Sequence, residues 1–375
     1  MKLTLAFRNL FHDRVRLLVT LIGILFSIVL VAVQLGLYMG ARKMIIQTID
    51  RADGDVWVMA YGTKNFEEAQ PISGREKYTA LSVPGVARAT PLVAAFTDWK
   101  KPAGGSTLAV IIGSDIDDGG LAPWDIVEGN LSTMGARDAV FVDKTYLDEL
   151  GLKAVGDTAE VRGSRVRIAG LTEGIRSFTV TPFVFTTLNR ARSLLEMPSD
   201  MVTYILVKVH PGVAPETVRD ALRLKITDGE VLTKAEFRSR SLNHWLFATG
   251  AGIALIGGAI LGLIVGTVIV AQTLYSSTKD HLSEFATLRA LGSSSGYIHA
   301  VILAQAALSA VVGYLLGMTI ALLVVWSTEN TALPIIMSPG LAALLFALTL
   351  SMCAISAIAA ITKVTKIDPA MVFNR

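Results

Sequence analysis

Four long segments without a charged residue constrain the fold of this chain more than any other feature. Asp, Glu, Lys and Arg are all absent from residues 17–41, 245–278, 291–328 and 330–362. A helix needs roughly 20 mostly apolar residues to cross a bilayer, and each segment is long enough. The sequence therefore predicts four transmembrane helices, near residues 17–40, 246–275, 297–327 and 339–362.

The basic residues predict how these helices are oriented. Lys and Arg precede residue 17 and recur in the loop 276–296 and the tail 363–375, whereas the loop 328–338 contains neither. Basic residues in short loops stay on the cytoplasmic side. Both chain ends and the loop 276–296 are therefore expected in the cytoplasm, and residues 51–240 outside it.

The segments around the predicted helices complete the organisation. Residues 1–16 carry apolar side chains on one helical face and are interpreted as a cytoplasmic interfacial helix. A stalk is expected to extend the first transmembrane helix, giving residues 17–50, and another to precede the second, giving residues 241–275. The remaining segments are a cytoplasmic helix, a third transmembrane helix, an extracytoplasmic loop, a fourth transmembrane helix and a cytoplasmic tail, at residues 276–296, 297–327, 328–338, 339–362 and 363–375.

The long region 51–240 predicts an α+β domain between the first two transmembrane helices. Short β-branched runs bounded by Gly, Asp or Pro predict strands in "GDVWVMA", "TLAVIIGSD", "DAVFVD", "AEVRGSRVRIAGL", "FVFTT" and "TYILVKV". Helices are predicted in "GREKYTALSV", "KTYLDELG", "TLNRARSLLEM" and "APETVRDALRLKI". The pattern leaves open whether residues 116–190 form an inserted lobe. The only cysteine, Cys353, lies in the fourth predicted helix, so no disulfide is expected in this domain.

The sequence contains no signature of an enzyme or a metal site. ATP hydrolysis needs a G-x-x-x-x-G-K-[ST] loop to hold the phosphates, and the chain has none. The run "AVFVD" ending at Asp143 is therefore interpreted as an ordinary strand. "DIDDGG" starts like a calcium loop but has Gly119 and Ile126 where oxygen ligands are required. The five histidines show no metal-ligand spacing, and a net charge of +3 gives no argument for nucleic-acid binding.

The predicted transmembrane helices indicate packing rather than conduction. Charged groups inside a membrane usually mark ion or proton pathways, and these segments have none. The second helix instead carries Gly258, Gly262 and Gly266, two overlapping G-x-x-x-G spacings. Because small residues let helices approach closely in lipid, these glycines are predicted to pack against a neighbouring helix.

The cytoplasmic segment has the pattern of a docking helix. Leu282, Phe285, Leu288 and Leu291 recur every three residues on one face, and Glu284 and Arg289 lie off that face. An amphipathic helix of this kind is suited to the groove of another protein. The residues assigned to this contact are Leu282, Glu284, Phe285, Leu288, Arg289, Ala290, Leu291 and the helix stop Gly292.

Three stretches carry a resemblance to a known family. "DHLSEFATLRALGSSSGYI" resembles the coupling segment of FtsX/MacB-like permeases of ABC transporters, roughly E-R-x-x-E-I-G-x-x-R-A-x-G-A-S. Glu284, Arg289, Ala290 and Gly292 match that pattern, whereas Phe285 and Ala286 replace its Ile-Gly pair. "RNLFHDRVRLLVTLIGI" and "KVTKIDPAMVFNR" are similar to the start of the family's first helix and to its C-terminal end. "NLFHDRVR" and "VQLG" also resemble the branch of DevC-like glycolipid exporters.

The resemblance implies a function that the residues alone do not. It implies a multi-pass permease of the bacterial inner membrane that binds no cofactor itself and works as a homodimer with an ABC ATPase subunit carrying ATP and Mg²⁺. ATP-driven motion would reach the extracytoplasmic domain and move an amphiphilic cargo, such as a lipid, lipoprotein, peptide or drug. A periplasmic adaptor and an outer-membrane duct are further partners of such systems. The alternative left open is a signalling scaffold that activates an extracytoplasmic cell-wall hydrolase.

Overall fold

The computed structural model describes residues 13–281, 283–284, 287 and 293–364. The described residues form two compact units. The helical unit contains those within Met1–Met39, Ile253–Glu329 and Pro334–Arg375, and the sheet unit contains Gly40–Gly252 and Asn330–Leu333. The α-helices are α1 (Arg14–Arg51), α2 (Glu76–Leu81), α3 (Leu147–Leu150), α4 (Leu188–Leu195), α5 (Pro215–Lys225), α6 (Lys234–Leu242), α7 (Ala251–Asp280), α8 (Ser295–Thr328) and α9 (Pro339–Val364).

The helical unit is built from α1, α7, α8 and α9. Within the described residues, these four helices are long and apolar enough to cross a membrane, which confirms the number predicted from the uncharged segments. One core cluster joins all four, with Ile24 from α1, Val270 from α7, Ile302 from α8 and Ala357 from α9. Their outward faces stay apolar, as at Leu316, because hydrocarbon rather than water surrounds a bilayer-spanning bundle.

The sheet unit is organised around one mixed sheet. Its strands are β1 (Val56–Met59), β2 (Ile72–Ser73), β3 (Val86–Lys100), β4 (Ser106–Ser114), β5 (Ile126–Gly129), β6 (Ala139–Asp143), β7 (Thr158–Val161), β8 (Ser164–Thr172), β9 (Phe183–Thr187), β10 (Met201–Val202), β11 (Tyr204–Val209) and β12 (Glu230–Thr233). Among the described residues the main sheet has the order β12-β1-β11-β3-β4-β9-β6-β8-β5, with β7 beside β3 and β8. The pairs β4–β9 and β6–β8 are parallel. β2 and β10 pair separately.

Both faces of the main sheet are buried. In β1, Val56 and Val58 contribute to one core, whereas Trp57 and Met59 contribute to the other, as the alternation of side chains along a strand requires. Helices α2, α4 and α5 supply apolar residues to the first core. The end of α1 and helix α6 supply residues to the second, including Ile49. Burial on both faces explains why the strands read as nearly continuous apolar runs.

The segment 116–190 shares this sheet. Its strands β5, β6, β8 and β9 follow one another at one end of the strand order, and the parallel pair β4–β9 joins them to the rest. The sheet therefore continues through the region where the sequence leaves an inserted lobe open.

Candidate functional site

Most of the predicted docking helix lies outside the described residues. This applies to Leu282, Phe285, Leu288, Arg289, Ala290, Leu291 and Gly292. Glu284 is described, and its exposed carboxylate lies 3.1 Å from Nδ1 of His281. Helix α8 begins beyond the segment, where the Ser294 side chain accepts from the backbone N–H of Tyr297 as an N-cap. The guanidinium of Arg16, near the start of α1, donates to Asp280 at the end of α7, so those two helix ends lie together.

The glycines of α7 lie where α1 comes closest. A Cβ built on Gly266 would lie 2.5 Å from Cβ of Ser27 and 2.8 Å from Sδ of Met352. Carbon atoms in ordinary contact are roughly 3.5–4.0 Å apart, so no side chain fits without movement. The Ser27 hydroxyl also donates to the carbonyl of Gly262 across a distance of 2.9 Å. Ser27, Gly266 and Met352 thus mark the meeting point of α1, α7 and α9.

The same close approach continues at the other positions of the glycine series. A Cβ on Gly262 would lie 3.0 Å from Cδ2 of Leu30, and one on Gly258 would lie 2.8 Å from Nε2 of Gln34. The packing role of these glycines remains a prediction, which substitutions can test. Their positions show that a face of α7 without side chains lies against α1.

Helix α8 approaches α1 in a similar way. A Cβ on Gly313 would lie 2.5 Å from Cγ2 of Ile24, and one on Gly317 would lie 3.0 Å from Cβ of Ile28. Glycines of two helices therefore border α1 over successive turns, and side chains of α1 fill the space that they leave, with Ile24 and Ile28 opposite the glycines of α8. In lipid, where burial gives little drive for association, such contacts are the main source of helix–helix stability.

A second candidate site lies in the sheet unit and was not predicted. We call residues 175–181, between β8 and β9, the clasp loop. The carboxylate of Glu67, which follows β1, is buried and accepts hydrogen bonds from the hydroxyls of Ser177 and Thr179, each at 2.7 Å. Burial raises the pKa of Glu67, and the two hydroxyl donors offset part of that effect. This carboxylate therefore fixes the clasp loop from within the unit.

The clasp loop also contacts α1 and the segment that leads into α7. The Gln47 side chain of α1 donates to the backbone carbonyl of Arg176. The ring of Phe178 lies 5.2 Å from that of Trp245, centroid to centroid. Trp245 belongs to Asn243–Ala248, a π-helical stretch that directly follows α6. Single π-helical turns often mark functional sites, and this one ends just before α7.

The backbone of the clasp loop is strained at Val180. This residue has a φ of +63°, in the left-handed region that β-branched side chains rarely adopt. The strain persists because the backbone N–H of Val180 bonds to the Ser177 carbonyl at 3.1 Å, and Glu67 holds the neighbouring hydroxyls. At the start of the loop, the N–H of Ile175 donates to the Asp143 carboxylate at 2.8 Å. Strained backbone held in this way is typical of sites that bind a ligand or change conformation.

No motif in the sequence pointed to this arrangement. Glu67 and Ser177 are 110 residues apart in the chain, and neither belongs to a recognised pattern. The one local signal is the alternation of hydroxyl residues at 177, 179 and 181. In the part of the chain that the structure describes, no cluster of three or more His, Cys, Asp or Glu could hold a metal ion.

Comparisons with known proteins match a family model to each of two parts of the chain. Residues 17–225 match the family model described as "MacB-like periplasmic core domain", and residues 246–369 match "FtsX-like permease C-terminal". An uncharacterized ABC transporter permease of Mycobacterium tuberculosis is 27% identical, covering 98% of this chain and 98% of its own length. Another, of Mycobacterium bovis, is 24% identical with the same coverage of both chains, 98%.

Two solved structures similar to this chain are a periplasmic region and an extracellular domain. The periplasmic region of MacB from Actinobacillus actinomycetemcomitans is 12% identical with a TM-score of 0.38, covering 52% of this chain and 96% of that one. The extracellular domain of YknZ, a noncanonic ABC-type transporter from Gram-positive bacteria, is 12% identical with a TM-score of 0.36, covering 48% and 99%.

Proposed function

This chain belongs to the family of MacB-like and FtsX-like ABC transporter permeases, and from that premise we propose that it transmits the ATP-driven motion of a separate ATPase subunit to its own sheet unit. It is a multi-pass protein of the inner membrane. The sheet unit would face away from the cytoplasm and move an amphiphilic cargo. The ATPase subunit would carry ATP and Mg²⁺, and a second copy of this chain would complete the dimer. An adaptor and an outer-membrane duct are further expected partners.

The observation that carries the proposal is the continuity of α1. One unbroken helix, Arg14–Arg51, supplies Ile24 and Ile28 to the core of the helical unit. The same helix supplies Ile49 to a core of the sheet unit and Gln47 to the clasp loop. A regular helix resists stretching because each turn is closed by backbone hydrogen bonds. Displacement of its first turns would therefore be passed on to its last ones.

The clasp loop is the proposed receiver of that displacement. If α1 shifts along its axis, Gln47 pulls on the Arg176 carbonyl, and the pull acts on a loop that is already strained at Val180. Because Phe178 packs on Trp245, movement of the segment that leads into α7 would also displace this loop. The loop could thus couple the two helices to the sheet. A long-range coupling of this kind requires an element with two arrangements, which the strained loop could supply.

The test of the proposal acts on the docking helix. Leu288→Asp places a carboxylate on the apolar face that is predicted to lie in the ATPase groove. We expect the variant to insert into the membrane normally but to lose the ATPase subunit on co-purification. When the ATPase subunit and the variant permease are reconstituted together in proteoliposomes, the permease should no longer stimulate the ATPase activity. The reason is that a buried unpaired charge opposes docking.

Thr287→Asp is the matched control. Thr287 is exposed, and its replacement adds the same negative charge one residue away from Leu288. It should bind and stimulate the ATPase like the natural sequence. Equal behaviour of the two variants would contradict the assignment of the apolar face. Co-purification of a cell-wall hydrolase, without an adaptor, would favour the signalling scaffold instead.

A further inference from the structure

The carboxyl group of Glu67 and two hydroxyls of the clasp loop form a ring with three short oxygen–oxygen contacts. Oε1 of Glu67 lies 2.7 Å from Oγ of Ser177, and Oε2 lies 2.7 Å from Oγ1 of Thr179. The two hydroxyl oxygens lie 2.6 Å from each other. Oxygen atoms this close are hydrogen-bonded, with a proton between the two atoms of each pair. The ring therefore needs three protons.

An ionised Glu67 leaves the ring one proton short. Ser177 and Thr179 supply one hydroxyl proton each, whereas a carboxylate supplies none. If both hydroxyls donate to the carboxylate, the contact between Ser177 and Thr179 brings lone pairs together at 2.6 Å. If Thr179 donates to Ser177 instead, its oxygen faces a carboxylate oxygen at 2.7 Å with no proton between them. Both arrangements are repulsive, and the repulsion is strong in a buried site of low dielectric constant.

A protonated Glu67 completes the ring. Its O–H donates to Thr179, the Thr179 hydroxyl donates to Ser177, and the Ser177 hydroxyl donates back to Glu67. The backbone N–H of Thr179 also donates to Oγ of Ser177 at 3.0 Å. Oγ1 of Thr181 lies 3.2 Å from Oγ1 of Thr179, and because hydroxyl groups rotate, Thr181 can donate to it. The oxygens of Ser177 and Thr179 then each donate once and accept twice, which is the full capacity of a hydroxyl.

The groups around Glu67 also favour its neutral form. Titratable side chains near the ring come from five segments: Glu68 beside Glu67, Tyr204 of β11, Tyr146 after β6, Arg176 of the clasp loop and His244 of the π-helical stretch. Burial raises the pKa of Glu67, and the charge of Glu68 raises it further, although the two hydroxyl donors lower it. The imidazole of His244 lies 4.0 Å from the carboxylate of Glu68.

We propose that Glu67 is a proton-binding site and that its proton holds the clasp loop closed. When the carboxyl group loses this proton to water, one of the three contacts becomes repulsive and the ring opens. The turn that contains Val180 is closed by its N–H bond to the Ser177 carbonyl, so an open ring lets the strained backbone relax. Thr179 and Thr181 are half-buried and give the proton a route of hydroxyls to the surface.

The proton would regulate the coupling that we propose for the clasp loop. Arg176, whose carbonyl accepts from Gln47, and Phe178, which packs on Trp245, are the two residues next to Ser177 in the chain. A closed ring therefore ties both contacts to the segment that follows β1, and an open ring releases them. This regulatory role rests on the proposed function, whereas the proton-binding site itself does not.

Infrared difference spectroscopy of the full-length protein in detergent measures the proton directly. The C=O stretch of a protonated, buried carboxylic acid is followed as the pH is raised. We expect a band that disappears with an apparent pKa well above the value of about 4.3 for an exposed Glu, and that is absent from Glu67→Gln. A band that persists in Glu67→Gln, or that is lost near pH 4.3, would overturn the assignment of the proton to Glu67.

A second measurement follows the clasp loop with a thiol reagent. Val180→Cys is made together with Cys353→Ala, so that the chain carries one thiol. Its reaction rate is divided by that of Tyr61→Cys in the same background. Because Tyr61 is exposed and lies outside the loop, this ratio removes the pH dependence of the thiolate. We expect the ratio to rise up to about tenfold through the midpoint of the infrared band, the effect of losing about one hydrogen bond.

Glu67→Gln should keep the ratio low at every pH, because its amide N–H donates to Thr179 permanently. Glu68→Gln is the matched control, since Glu68 is adjacent, exposed and outside the ring. It should retain the rise, with a lower midpoint because a neighbouring negative charge has been removed. A ratio that is constant with pH, or that rises equally in Glu67→Gln, would overturn the proposal. Both measurements use the permease alone, so their failure is distinct from failure of the ATPase test with Leu288→Asp.

Discussion

Replacing Gly266 by Ala tests whether the glycine face of α7 determines how the helices pack. The new Cβ would lie 2.5 Å from Cβ of Ser27 and 2.8 Å from Sδ of Met352. Gly257 lies in the same helix, and a Cβ there has no atom within 4 Å. Both substitutions gain the same intrinsic helix propensity, about 1 kcal/mol. Only Gly266→Ala adds the cost of overpacking, about 1–3 kcal/mol.

The difference between the two variants therefore isolates the packing contribution. We expect Gly266→Ala to have a free energy of unfolding about 1–3 kcal/mol below that of Gly257→Ala. The assay is titration of the purified protein in micelles with sodium dodecyl sulfate, followed by far-ultraviolet circular dichroism. Because the starting residue, the new residue and the helix are the same, differences in helix propensity cancel.

A second substitution checks the contact itself. Ser27→Gly removes the atoms closest to the new Cβ, so combining it with Gly266→Ala should recover stability relative to the sum of the single changes. A coupling free energy of about 1 kcal/mol or more is expected for residues in direct contact. If Gly266→Ala unfolds like Gly257→Ala, or if the cycle shows no coupling, the close approach of α1 and α7 is not a determinant of stability.

Two further predictions concern the clasp loop. Burial raises the pKa of Glu67, so the folded protein keeps a proton that the unfolded chain loses above about pH 4.3. Stability should therefore fall as pH rises from that value through the raised pKa and then level off. Thermal unfolding between pH 4 and pH 8 should show this fall in Glu68→Gln but not in Glu67→Gln. Phe178→Ala removes an aromatic contact of about 0.5–1.5 kcal/mol and should speed amide hydrogen exchange in residues 175–181 up to about tenfold. Phe247→Ala, which changes an exposed ring of the same π-helical stretch, should not.

The long helices and six of the strands could be predicted from the sequence, because burial determines the residue types in both. An uncharged apolar run of this length is typical of a helix that spans a membrane. A strand buried on both faces must be apolar throughout. The predicted segments containing β1, β4, β6, β8, β9 and β11 all form strands. The local signal is strong wherever burial alone determines the residue type.

The longest strand, β3, was missed because its sequence argues against it. Val86–Lys100 contains Pro91, and proline is normally confined to edge strands because it cannot donate to a neighbour. In the structure β3 lies inside the sheet between β11 and β4, with Pro91 opposite Ile205. Neighbouring strands on both sides outweigh one missing donor. β4 follows β3 closely in the chain, but β11, which pairs with the segment around Pro91, is distant in sequence.

The clasp loop was missed for the same kind of reason. Its contacts join Glu67, Gln47 and Trp245 to residues 175–181, and no local pattern records such distances. The reverse holds for the docking helix, where the sequence pattern is clear and most residues lie outside the described part of the chain. Its role in binding the ATPase therefore remains a prediction.

The unbroken sheet has a consequence for how the sheet unit can move. The parallel pair β4–β9 ties the strands of residues 116–190 to the rest through five matched residue pairs. Opening a hinge there would break a whole ladder of peptide hydrogen bonds in a dry interior. The sheet must then move as one rigid body. Any change of conformation is confined to the loops and helix ends at its margins.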